Sequence, residues 1–273
     1  MKRSEQKHTT VGSGWKMKNR YILAFFHGLL ISTIFYAYTE SHYEAALFKD
    51  IIYNIKSEPV NSRNEDSFLL CSMHVCHQLL NVRQPLFDNY RFSAFKSDLI
   101  YPVTYDLMTA NGACGSFSRV LARILQTGGV DIRFAEMKVN GKYGGHILIE
   151  ANTRHGWVVL DPLYDLYFTT PQKTLAAFAD VQQNWAYYKT QVPSNYNYAY
   201  NYAGVRYTNW NKIPVLLPAL KKVLQWTRGR EKTEQLSLRT YFLQPYHIIF
   251  VCAAFVYLLL TLYTIRKWFL LMQ

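Results

Sequence analysis

The 273-residue sequence contains no repeat at solenoid spacing and no long flexible linker, which excludes a repeat array and a string of loosely tethered modules. Metal motifs are missing as well. Cys71-Ser-Met-His-Val-Cys76-His77 gathers thiols and imidazoles, yet haem attachment needs Cys-x-x-Cys-His and structural zinc needs paired sets, so the stretch reads as a core-packed helix face. On one continuous helix these two cysteines also point too differently for a disulfide. No metal and no organic cofactor is expected. Acidic charge is scarce, with 18 Asp and Glu against 30 Lys and Arg, a net charge of +12. Such a surplus suggests a nucleic-acid partner until its distribution is examined. Residues 1–38 hold six basic and one acidic residue and residues 246–273 two basic and none acidic, which leaves only +5 between them. No nucleic acid is expected.

Formal charge is absent from two long stretches, Tyr21 to Tyr38 and Tyr246 to Ile265. At about 1.5 Å per residue the first spans roughly 27 Å, close to the hydrocarbon thickness of a bilayer. Tyrosines near the ends suit headgroup depth, and Lys2, Arg3, Lys7, Lys16, Lys18 and Arg20 precede the first stretch while Arg266 and Lys267 follow the second. The expected organisation is a cytoplasmic basic tail (1–20), a transmembrane helix (21–38), an extracytoplasmic domain (39–245), a second transmembrane helix (246–265) and a cytoplasmic tail (266–273). A cleaved signal peptide is the rival for the first span. It is disfavoured by the length of the apolar run and by Tyr-Thr-Glu-Ser-His, a poor cleavage site.

Within the domain, Thr39 to Tyr53 continues as helix, Glu58 to Glu65 reads as a loop, and Asp66 to Leu80 predicts a helix with Leu69, Met73, Cys76 and Leu80 on one stripe. Residues 81–113 read as irregular, punctuated by Pro85 and Pro102. After Cys114 the period is helical, with Phe117, Val120, Leu121, Ile124 and Leu125 on one face and Gly128-Gly129 as a stop. It then turns strand-like over Val130 to Val139, Gly145 to Ala151 and Trp157 to Leu160, separated by Asn140-Gly141 and Asn152 to Gly156. The fold class is α+β.

Cys114 stands at the start of its helix, where unpaired backbone N–H groups favour thiolate. His146 and Asp161 follow in the order a base and its orienting group require. Gly-Ala-Cys-Gly-Ser-Phe-Ser, then Leu-Ala-Arg-Ile-Leu, Gly-Gly-Val-Asp-Ile-Arg, Gly-Gly-His-Ile-Leu-Ile-Glu and Trp-Val-Val-Leu-Asp-Pro, together resemble the transglutaminase-like core over roughly residues 105 to 168. The resemblance implies a papain-like fold, a nucleophile helix packed on an antiparallel sheet, with its core at about 66–168 and an aromatic-rich part at 169–245. It also implies a thiol triad of Cys114, His146 and Asp161. One departure is Ile147 after the histidine, where many members have a small residue and then tryptophan, so substrate preference does not carry over.

Such a triad acts on an acyl or amide group of a peptide, protein or glycoconjugate, by hydrolysis or transamidation. The alternative is a binding or assembly module for envelope glycan or protein that keeps the fold. Backbone N–H of Cys114 and the side chain of Asn111 are oxyanion candidates, although an Asn before Gly also serves simply as a turn residue. The triad requires His146 and Asp161 on one sheet face, directly opposed or offset by two. Direct opposition places Ala151 across from Gly156 with a four-residue loop, Asn152 to His155. In NYNYAYNY an extended chain would align Tyr196, Tyr198, Tyr200 and Tyr202 as a substrate platform, with an aromatic loop covering the domain as the plainer reading. Ile213 to Trp226 reads as an amphipathic helix, lying in the membrane interface or packed on the core. A bacterial inner membrane, with both termini cytoplasmic, is the expected location.

Overall fold

A computed structural model of the protein describes residues 11–58, 64–87 and 101–272, with side chains from Arg20 to Phe269 among these. Lys2, Arg3 and Lys7, residues 59–63 of the expected loop and residues 88–100 of the expected irregular stretch lie outside the described residues. The chain divides into two compact units, residues 1–42 with 246–273, and residues 43–245.

The first unit contains the apolar parts of helices α1 (Val11–Ser57) and α10 (Pro245–Met272). Their segments Arg20–Ser57 and Pro245–Phe269 each contain an 18-residue stretch, of mean hydropathy 1.6 and 2.5, and are long and apolar enough to cross a membrane. His27 Nε2 meets Thr264 Oγ1 at 3.1 Å, a polar contact between two otherwise apolar helices.

In the second unit the end of α1 contributes Phe48, Ile52 and Ile55 to a core shared with α2 (Glu65–Asn81), α4 (Val103–Thr109) and α5 (Cys114–Thr127). The expected stripe of α2 is buried at Leu69, Met73, Cys76 and Leu80, and the Asn64 side chain caps the helix by accepting from the N–H groups of Asp66 and Ser67. The stretch expected to be irregular holds two short helices, α3 (Gln84–Phe87) and α4. Pro85 stands in the first turn of one and Pro102 caps the other, where the missing N–H is no loss.

The sheet is antiparallel, in the order β4-β3-β2-β1-β5, built from β1 (Ile132–Val139), β2 (Lys142–Thr153), β3 (Gly156–Asp161), β4 (Leu166–Tyr167) and β5 (Val205–Arg206). Asn140-Gly141, the expected turn residues and both at positive φ, make a two-residue hairpin, so β2 begins at Lys142, ahead of the expected Gly145. Between β2 and β3 the turn is shorter than expected. Thr153 opposes Gly156 and Ala151 opposes Val158, so the loop is Arg154-His155, closed by Thr153 Oγ1 donating to Gly156 O at 2.8 Å. Side chains alternate between two covered faces. Phe134, Ile149, Ala151, Val158 and Leu160 meet the helices, while Ala135, Met137, Leu148 and Val159 meet Phe168, Phe178, Tyr188, Tyr196 and Tyr202 from the C-terminal segment, which includes α6 (Phe178–Gln183) and α7 (Trp185–Tyr188).

The tyrosine run is therefore largely a cover for the sheet. Turns at 194–195 and 198–199 and a left-handed Tyr202 (φ 55°) break the extended backbone that one-face alignment requires. Tyr196 and Tyr202 are buried while Tyr198 is 64% exposed, so the four rings do not form a common platform. Farther on, α8 (Leu216–Arg228) and α9 (Arg230–Glu234) follow, and α8 buries none of its residues.

Candidate active site

Cys114 is the first residue of α5, and the turn before it is held in an unusual shape. Ala113 adopts φ 43°, ψ −125°, a backbone region that favours glycine and stores strain in an alanine. A short network keeps it there. Gly112 N–H donates to Ser116 Oγ at 2.8 Å, Ser116 Oγ donates to Asp106 Oδ1 at 2.6 Å, and Arg119 pairs with Asp106 at 3.1 Å. A Cβ at position 112 would stand 2.6 Å from Ser116 Oγ, so only glycine fits. The thiol is half-buried at the N-terminal end of the helix, where Gly115 N–H donates to Gly112 O at 2.9 Å and Phe117 N–H to Ala113 O at 3.1 Å.

His146 follows a break in the β1–β2 ladder. Met137 pairs with His146 but Lys138 pairs with Tyr143, so Gly144 and Gly145 form a bulge on β2. Gly144 is left-handed (φ 89°), and a Cβ on Gly145 would lie 2.6 Å from Val139 Cβ. The two glycines let the strand kink and turn the next side chain. Pairing of β2 with β3 runs to Ile149 and Leu160, which puts Leu148 level with Asp161. His146 is thus offset by two from Asp161 instead of directly opposed, and the two still share a face. His146 Nε2 lies 2.7 Å from Asp161 Oδ2, with both side chains fully buried. The second carboxylate oxygen, Oδ1, accepts from Leu163 N–H at 3.2 Å.

Where β3 stops pairing, α5 takes its place beside β2. Ser118 Oγ donates to Ile147 O at 2.8 Å, and Ile147 N–H is directed to the Cys114 sulfur. The arrangement sets opposite pulls on the two titrating groups. Burial alone would raise the Cys114 thiol, but the hydrogen bond and charge of His146, helped by Ile147 N–H, bring it below its ordinary value. Burial opposes charge on His146 too, and Asp161, with a smaller contribution from Cys114, overcomes it and lifts the imidazole to about 10. With Nε2 held by Asp161, Nδ1 has no other partner among the described residues and is the nitrogen left for Cys114. The directions favour thiolate and imidazolium together. By contrast burial pushes the Cys76 thiol up, and its sulfur is spent on Phe117 O at 3.5 Å, as expected for a core cysteine.

Three neighbours surround the pair, of which sequence reasoning had no signal for Tyr164 and Asp106 and named Tyr200 only as one ring of a substrate platform. Tyr200 stacks on the imidazole of His146 with ring centroids 4.1 Å apart and planes 4° from parallel. Tyr164 stands edge-on to the same ring at 6.1 Å. Asp106, invisible as a partner in sequence, braces the nucleophile turn through Ser116. Asn111 has a local role, its side chain engaged with the Tyr105 hydroxyl. Backbone N–H of Cys114 remains an oxyanion candidate at the helix start. Among the described residues no group of three or more His, Cys, Asp and Glu is arranged to hold a metal ion. His77 Nδ1 and His74 Nδ1 instead contact Pro162 O (3.0 Å) and Asp165 Oδ2 (2.6 Å), tying α2 to the segment after Asp161.

The chain matches no family model, no curated protein and no solved structure.

Proposed function

We propose that the protein is a membrane-anchored thiol enzyme of transglutaminase-like type, transferring acyl groups through Cys114, His146 and Asp161 on an extracytoplasmic substrate. The observation that carries the reading is the His146–Asp161 pair, buried at 2.7 Å, with its imidazole raised and the Cys114 thiol lowered. Cys114 thiolate attacks the carbonyl carbon of an amide, and the negative charge that develops on oxygen is met by backbone N–H at the start of α5. The Nδ1 proton of His146 passes to the leaving nitrogen, the C–N bond breaks, and a thioester on Cys114 remains. Water or a primary amine then attacks the thioester, His146 takes the proton of the attacking group, and the thiolate leaves. Water gives hydrolysis of a peptide, protein or glycoconjugate, and an amine gives transamidation. The bilayer is the partner that the two membrane-length helices imply, and the basic flanks orient both termini to the cytoplasm of a bacterial inner membrane.

The test is acylation. Detergent-purified protein is treated with p-nitrophenyl acetate and the Cys114 peptide is weighed by mass spectrometry, with a primary amine added in a second arm. A transient acetyl group on Cys114, lost in His146→Ala and discharged faster by the amine, supports the reading. Acetylation no faster than that of free cysteine would overturn it in favour of a binding module.

A further inference from the structure

Helix α8 leaves a large part of its apolar side facing away from the protein. At about 100° per residue, Trp226, Ala219, Val223, Leu216 and Leu220 fall on one arc with Thr227, the exposed part of an apolar stripe that runs on to the half-buried Leu224 and Leu217. Here Leu216 is 63%, Val223 56% and Trp226 86% exposed, and Val215 just ahead of the helix is 83% exposed. Protein is touched along the other side, where Leu217, Pro218, Lys221, Leu224 and Gln225 are half-buried. Lys221 Nζ meets Glu234 Oε1 of α9 at 2.7 Å and lies over the Trp210 ring, and Gln225 is half-buried while Trp226 beside it is bare. An arc of this kind left in water is unfavourable and marks a surface that is covered in use.

We infer that α8 lies in the surface of a lipid bilayer, with Leu216, Val223 and Trp226 in the acyl boundary and the neighbouring cations against anionic headgroups. Two features select lipid over protein. Residues 212–232 hold six basic residues and one acidic residue, a charge that suits anionic lipid and makes two copies of the same face repel. The chain also keeps a bilayer within reach, because Pro245, which opens α10, follows Arg228 by only 17 residues. A tryptophan at the edge of such an arc suits headgroup depth. The domain would then be held against the membrane by a third contact besides its two helices, fixing the height at which Cys114 meets substrate. The inference rests on the reading that those helices span.

Full-length protein is reconstituted into vesicles of brominated phosphatidylcholine and phosphatidylglycerol, and tryptophan emission of the wild type is compared with that of Trp226→Phe and Trp268→Phe. The Trp226 difference reports α8 and the Trp268 difference reports α10. Loss of the Trp226 emission to brominated lipid, with protection from aqueous iodide, is the expected result, and Leu216→Glu with Val223→Glu abolishes that loss while leaving the Trp268 signal quenched. Quenching of Trp268 alone, with Trp226 open to iodide, overturns the inference and leaves the spans intact. Protection of Trp226 from both quenchers overturns it in favour of a protein cover such as a second copy. Absence of lipid quenching from both tryptophans removes the spanning reading and the inference with it.

Discussion

Asp161→Asn is nearly isosteric, and the geometry gives a reason to expect it to disable the site. Both carboxylate oxygens accept, Oδ2 from His146 Nε2 and Oδ1 from Leu163 N–H. An amide has one acceptor, so its NH2 must face one of two buried donors. Facing His146, it forces the tautomer that carries its proton on Nδ1 and leaves no base toward the thiol. Facing Leu163, it preserves the tautomer but still removes the charge that opposes desolvation of the imidazolium. A hydrogen bond to a charged group contributes about 1.5–3 kcal/mol to the imidazolium that holds the Cys114 thiol low, so that thiol is expected to rise when the charge on residue 161 is removed. Direct repulsion between Asp161 and the thiolate works the other way, and it is the smallest of the influences on Cys114. The assay is the ultraviolet absorbance of the thiolate against pH, with Cys114→Ser subtracted. A rise confirms the reasoning. A thiol pKa unchanged or lowered in Asp161→Asn, with the protein still folded by circular dichroism, would refute it.

Removing the ring that stacks on the imidazole, in Tyr200→Ala, is expected to slow acetyl turnover about threefold to tenfold from the roughly 0.5–1.5 kcal/mol of such a pair, while alkylation of Cys114 keeps its low-pH midpoint. A residue that merely packs would lower the melting temperature and leave turnover untouched. Gly112→Ala forces a Cβ to 2.6 Å from Ser116 Oγ and is expected to cost about 1–3 kcal/mol in a denaturant melt. Gly115→Ala, with open space at its Cβ, serves as the control and should change little.

Local signals carried much of this fold. Apolar spacing over Phe117 to Leu125 and over Leu69 to Leu80 located two buried helix faces, and Asn140-Gly141 located one hairpin. The β2–β3 turn was misplaced because Asn152 and Thr153 look like loop residues, whereas in the structure Thr153 extends the ladder and closes the turn with its hydroxyl. The offset of two kept His146 and Asp161 on one face, so the candidate site survives the change of register. Asp106 was not legible as a site neighbour, and Tyr200 was legible only as one of four platform rings, not as the ring stacked on His146. Their contacts come from long-range placement, Asp106 through a helix capped by Pro102 and Tyr200 through a loop that folds back over β2, and no local period records either contact. The alternating tyrosines misled for the opposite reason, since a local pattern of two was overridden by turns and by a left-handed Tyr202.

The most direct test of the thiolate–imidazolium pair is the pH dependence of iodoacetamide alkylation at Cys114, read on its own peptide and compared between wild type and His146→Ala. Alkylation needs the thiolate, so its rate follows the thiol pKa. The wild type is predicted to label with a midpoint below the ordinary 9.0, because His146 outweighs burial. In His146→Ala burial is left without its main opponent, and the midpoint is predicted to move to 9.0 or above. Coincident profiles, both titrating as a free thiol, would contradict the account.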